Sequence, residues 1–223
     1  FVQTNGTRSY HKAYNYPKFG VTLFGSTTGN KEILGNLYGL YSFVDFPLAK
    51  GKKQELVGRL GAGLSYLTKV FDQELNPKNV AISTHLNALI CLGLRYRYYI
   101  GSSHILLGLD ISHASNASTR VPNLGLNLPF ISLGYGYTFK RQEKIENLET
   151  FEARKWKFSA LGILSVKQIF PTGGKNYPIY ALSIIGNKKF TQKAGLELAL
   201  DVFYKTSING YKPHIPKTPL SIL

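Results

Sequence analysis

The sequence predicts an all-β protein, an antiparallel up-and-down transmembrane β-barrel of about 8–12 strands. Period-two alternation recurs along the chain, whereas helical periodicity is poor almost throughout. The apolar stripes run the full length of the strands, while Arg59, Arg95, Arg97, Glu197 and Asp201 keep to the opposite faces. Aromatic side chains gather at strand ends: Tyr38, Tyr41 and Phe43; Tyr96, Tyr98 and Tyr99; Tyr135, Tyr137 and Phe139. Bilayer boundaries favour such girdles. Alternation alone does not say which face is inside. A soluble barrel binding a small apolar ligand would bury the same stripes, so the membrane version requires Ile105 and Leu107 on the exterior.

The strands follow in order. Weaker alternation covers Phe19 to Gly25 and Leu34 to Phe46. Leu56, Gly58, Leu60, Ala62, Leu64 and Tyr66 form the oily face of the next strand, opposite Val57, Arg59, Gly61, Gly63 and Ser65. From Ile82 to Tyr98 the even positions are oily, and the odd ones carry Ser83, His85, Asn87, Arg95 and Arg97. His85 is therefore expected in an interior polar network. After a turn at Gly101–Ser103, a strand runs from His104 to Ser115 and another ends near Phe139. Weak strands cover Trp156 to Phe170 and Ile179 to Phe190, and a clear one Leu196 to Tyr204. The charged stretch Lys140 to Trp156 reads as a polar turn or a short helix. A last strand starts at Thr218 and stops at Leu223, so the single barrel domain, residues 1–223, is expected to be completed by further residues. With no methionine, the sequence reads as a processed or partial product.

Composition narrows the function. The 223 residues are 43% hydrophobic, ordinary for one folded domain, and the formal charge is +15 from 27 Lys and Arg against 12 Asp and Glu. Such an excess attracts polyanions, lipid headgroups and lipopolysaccharide phosphates among them. The basic residues are dispersed rather than gathered on an arm or helix, so nucleic acid is not an expected partner. One cysteine, Cys91, excludes an internal disulfide framework and a cysteine-based zinc cluster. No apolar run reaches the roughly 20 residues of a membrane helix.

The segment Gly108–Ser118, GLDISHASNAS, carries the chemistry. His113 and Ser115 lie two apart on a strand, so both leave the same face, continuous with Ile111, Leu109, Leu107 and Ile105. Lipid offers a histidine and a serine no hydrogen bonds, so a His-x-Ser pair on an outward apolar face points to chemistry on a lipid. Counting back by twos from Ile131 on the following strand gives Pro129, Asn127, Gly125 and Asn123. Asn127 is then within reach of His113 across one hairpin and able to orient its ring. Asn116, beside Ser115, offers an NH₂ donor for a developing oxyanion. Asp110 points to the opposite face.

These residues resemble the lipid A 3-O-deacylases, the PagL-type barrels of the Gram-negative outer membrane. The resemblance rests on His113, Ser115 and Asn116, followed by Pro122-Asn123, and extends from about Tyr16 to Phe139. NPKN (Asn76–Asn79) and PNLGLN (Pro122–Asn127) are similar to the long, Bacteroidetes-type version. It implies Ser115 as nucleophile, His113 as base, Asn116 at the oxyanion and the third triad position at Asn127. That position departs from the family, which has an acid there, and no Asp or Glu lies between Asn116 and Tyr137.

The resulting expectation is an outer-membrane serine esterase that removes an ester-linked acyl chain from lipid A of lipopolysaccharide. It needs no cofactor and no metal. Arg120, at the outer rim, is the expected contact for a lipid A phosphate. A second copy of the chain remains an open partner. The alternative is a catalytically silent barrel that binds or anchors lipopolysaccharide, with His113 and Ser115 misaligned or His113 unoriented.

Overall fold

The computed structural model describes residues 1–139, 145, 155–169, 172–191 and 193–207. Seven strands form one antiparallel sheet in chain order: β1 (Val2–Gln3), β2 (Lys18–Thr27), β3 (Asn36–Lys50), β4 (Gln54–Leu67), β5 (Leu86–Ile100), β6 (Ser103–Ser115) and β7 (Leu126–Tyr137). A second sheet holds β8 (Lys157–Gln168), β9 (Asn176–Lys189) and β10 (Gly195–Lys205). The one helix among the described residues is α1 (Ser9–Ala13); none is long and apolar enough to cross a membrane. Every pairing is between chain neighbours and antiparallel, the order of an up-and-down meander. Among the described residues no ladder joins β7 to β8. The two sheets touch where Gln168 N–H donates to Ser118 O (2.9 Å) and Val121 N–H donates to Gln168 Oε1 (2.8 Å).

The seven-stranded sheet is inside-out relative to a soluble protein. Ile105 is 47% and Leu107 53% exposed on the convex face, as the membrane version requires. The 13 residues of β6 make roughly 40 Å of strand, which at a tilt of about 45° spans about 30 Å, the thickness of a hydrocarbon core. The concave face takes the charges. Arg59 donates from Nε and Nη2 to Asp45 at 2.6 and 2.8 Å, and Arg97 binds the same carboxylate. Lys18 Nζ and Tyr99 Oη donate to Glu55 Oε2 at 2.6 and 2.7 Å. Buried charges persist only when paired in this way. Higher up, Arg95 and Ser132 hold Asp110 at 2.9 and 3.0 Å. Gly93 leaves room for that carboxylate, because a Cβ there would run into Asp110 Oδ1.

At the opposite end an apolar cluster fills the mouth: Leu37, Tyr41, Phe43, Leu67, Ile82, Leu89, Cys91, Ala114 and Leu126. Ile82 corrects the sequence expectation, since β5 begins at Leu86 and the segment before it folds over the mouth. Asn79 fixes that segment. Its Oδ1 accepts from Ile82 N–H (3.2 Å), and its Nδ2 donates to Ile33 O (3.1 Å) and Lys69 O (3.3 Å). These local amide bonds substitute for a ladder, so Ile82 turns inward and is fully buried. His85 also departs from parity. It is exposed, because its Nδ1 bonds Leu67 O (2.6 Å) where the ladder ends, and its ring stacks on Tyr66. β1 and α1 have no counterpart in the sequence reading. The strand expected at Thr218–Leu223 and nearly all of the Lys140–Trp156 stretch lie outside the described residues.

Candidate active site

Cross-strand register brings the site residues together at the end of β6. His113 stands opposite Ile90 on β5 and Asn127 on β7, and Ser115 stands opposite Ala88. Both His113 and Ser115 are half-buried on the convex face. His113 Nδ1 lies 2.7 Å from Asn127 Oδ1. An amide oxygen only accepts, so Nδ1 carries the proton and the Nε2 lone pair is free to act as a base. Gly125 makes room for this ring. Its φ of +77° suits glycine, and a Cβ there would come within 2.6 Å of His113 Cε1.

Two donors converge on Ser115 Oγ: Asn123 Nδ2 at 2.9 Å and the Ala117 backbone N–H at 3.2 Å. The second is aimed by an unusual turn, since Ala117 and Ser118 have φ of 55° and 60°. Non-glycine residues in the left-handed region carry strain, and such residues cluster at functional sites. Asn123 is itself oriented, its Oδ1 accepting from Asn116 N–H (3.2 Å). No hydrogen bond joins His113 to Ser115 among those formed by the described residues. The two share a face, and catalytic hydrogen bonds commonly tighten only around substrate.

Asn116 occupies a different place from the one expected. Strand parity turns it inward, and it is buried. Its Nδ2 donates to Ser83 Oγ (3.1 Å) and Arg120 O (3.0 Å), which commits both hydrogens to the turn. Asn123 stands where Asn116 was expected, with an amide NH₂ on the serine. The sequence held a signal for it: counting by twos places Asn123 on the face of Asn127 and Gly125. Arg120 is exposed at the rim, with its carbonyl also accepting from Ser83 Oγ (2.8 Å). Its charge adds to the lowering of the Asp72 carboxyl, which the backbone N–H groups of Leu75 and Glu74 chiefly hold below the ordinary range.

His85, just before β5, is also exposed, and its partners are Leu67 O and the Tyr66 ring rather than His113 or Ser115. His104 is buried in the concave face and His11 within α1, so neither joins the site. Among the described residues no group of three His, Cys, Asp or Glu is placed to hold a metal ion.

The arrangement suits acyl transfer: a hydroxyl, an oriented imidazole on its strand, and two N–H donors beside the hydroxyl, all facing the apolar exterior. No curated protein and no solved structure matches the chain. A family model described as lipid A 3-O-deacylase (PagL) matches residues 1–138, from β1 through the whole of β7. The chain carrying this outward-facing serine and histidine belongs to the lipid A 3-O-deacylase family.

Proposed function

We propose that this protein is an outer-membrane esterase that hydrolyses the 3-O-linked acyl ester of lipid A through Ser115. The observation that carries the reading is the His113–Asn127 pair at 2.7 Å on the lipid-facing side, beside a serine already held by two donors. His113 Nε2 takes the Ser115 proton as Oγ attacks the acyl carbonyl. The Asn123 amide and the Ala117 N–H move from Oγ to the carbonyl oxygen as it becomes an oxyanion. His113 then returns the proton to the departing sugar oxygen. In the second half, water attacks the acyl-serine with the same base, releasing the fatty acid and restoring Ser115. Asn127 fixes the tautomer throughout but brings no charge to the imidazolium. Asn116 acts by holding the Ser115 turn, and Arg120 meets a substrate phosphate at the rim.

Mass spectrometry of lipid A from cells expressing the protein tests the reading. Wild type is expected to remove one acyl chain, and Ser115→Ala and His113→Ala to leave the lipid intact. Identical acylation in all three, in a host whose lipid A carries the 3-O chain, overturns it and leaves the silent anchoring barrel as the better account.

A further inference from the structure

The exposed Tyr66–His85 pair lies outside the machinery described above, yet on the same face and at the same end as Ser115. Ala88 pairs with Ser115 on one side and with Leu64 on the other, and Tyr66 lies two residues further toward the outer end. Two strand spacings and two residues of rise put Tyr66 about 12 Å from Ser115 across the backbone. The rings stack with centroids 5.4 Å apart and planes 16° from parallel. Tyr66 is 48% exposed.

The pair is built rather than incidental. Strand parity would turn His85 into the barrel with Ser83 and Asn87. Instead its Nδ1 replaces a ladder donor on Leu67 O at 2.6 Å, which turns the ring outward. A carbonyl only accepts, so Nδ1 carries the hydrogen and Nε2 is left as an acceptor. Such rings combine an apolar body with a polar tip, suited to a boundary where one side is oily and the other wet.

The geometry points to Tyr66 and His85 as a headgroup subsite, taking a sugar ring of the substrate while its acyl ester lies at Ser115. This rests on the esterase reading of Ser115 for the position of the ester. A pyranose presents an apolar C–H face, which packs on the aromatic pair, and hydroxyls, one of which donates to His85 Nε2. The separation of about 12 Å matches a ligand of two linked rings rather than one, so the subsite recognises the saccharide portion beyond the ring being deacylated.

The test separates this subsite from the chemistry by measuring binding directly. In the detergent-solubilised Ser115→Ala protein, binding of lipid A supplied in mixed micelles is compared with binding after His85→Ala or Tyr66→Ala is added. Each is expected to weaken it by about 5- to 10-fold, the effect of one hydrogen bond or ring contact. In the active protein the same changes raise KM for lipid A by a similar factor, and the preference for lipid A over a soluble, sugar-free ester falls with it. Unchanged binding overturns the subsite. So does an equal loss of phosphatidylethanolamine binding in the same micelles, which marks a bilayer girdle, or a parallel loss on the sugar-free ester, which marks a structural role. If Ser115→Ala releases as much fatty acid as wild type, the esterase reading fails while the binding comparison still decides the subsite.

Discussion

Replacing Asn127 by aspartate changes one atom's chemistry and nothing of the geometry. The amide oxygen already sits 2.7 Å from His113 Nδ1, so an aspartate oxygen there accepts the same hydrogen. What it adds is a full negative charge about 4 Å from the centre of an imidazolium that exists only while the ester is being attacked. Coulomb's law gives about 4 kcal/mol at an effective dielectric of 20 and about 1 kcal/mol in water. Asn127 is exposed, which places the site toward the screened limit, at about 1–2 kcal/mol. That corresponds to a rise of about 5- to 30-fold in the chemical step. The assay is single-turnover release of fatty acid from lipid A in detergent, with enzyme in excess so that product release does not mask chemistry. Asn127→Leu, which keeps the volume and removes the acceptor, is the companion and should lose at least the orienting contribution. A rate for Asn127→Asp within twofold of wild type, alongside an undiminished Asn127→Leu, would refute the assignment of His113 as a base oriented from β7.

Four further outcomes follow from the same geometry. Asn123→Ala removes one of two donors at Ser115 and should lower kcat by about 10²-fold, the usual loss for one oxyanion donor, with KM for lipid A little changed in steady-state assays. Gly125→Ala places a Cβ against His113 Cε1 at a φ of +77°; about 1–2 kcal/mol of stability and most of the activity should go, measured by urea unfolding and acid release. Asp45→Ala leaves Arg59 and Arg97 buried without their shared carboxylate, and should cost about 3–5 kcal/mol in the same unfolding experiment while the outer rim keeps its structure. Asp72 has its carboxyl pKa depressed by the Leu75 and Glu74 N–H groups. Its turn is therefore stabilised above the ordinary carboxylate pKa and loosens as pH falls through the lower folded value, which hydrogen exchange at Leu75 should register.

Much of this fold is legible because lipid enforces parity along whole strands. β6 is readable residue by residue: Ile105, Leu107, Leu109 and Ile111 outward, His104 and Ser112 inward. The site inherits that legibility, since a period of two places His113, Ser115 and Asn127 on one face and the hairpin register makes two of them partners. Parity fails where the ladder stops. Ile82 and His85 are governed by an amide side chain and a carbonyl cap, local bonds that hydrophobic alternation does not encode. Asn123 illustrates the boundary. Its face can be counted, but its bond to Ser115 depends on the left-handed turn at Ala117 and Ser118, which no residue type there announces.

The outward placement of His113 and Ser115 on the convex face has a kinetic consequence. Under the esterase reading proposed above, substrate reaches such a site sideways, by lateral diffusion within one leaflet, and never enters the barrel. The concentration that matters is then a mole fraction in the membrane rather than an amount per volume of solution. Diluting the leaflet with inert lipid should slow the reaction even when total substrate and enzyme are fixed. Both products are amphiphiles released into the same leaflet, so each turnover changes the solvent in which the next one occurs.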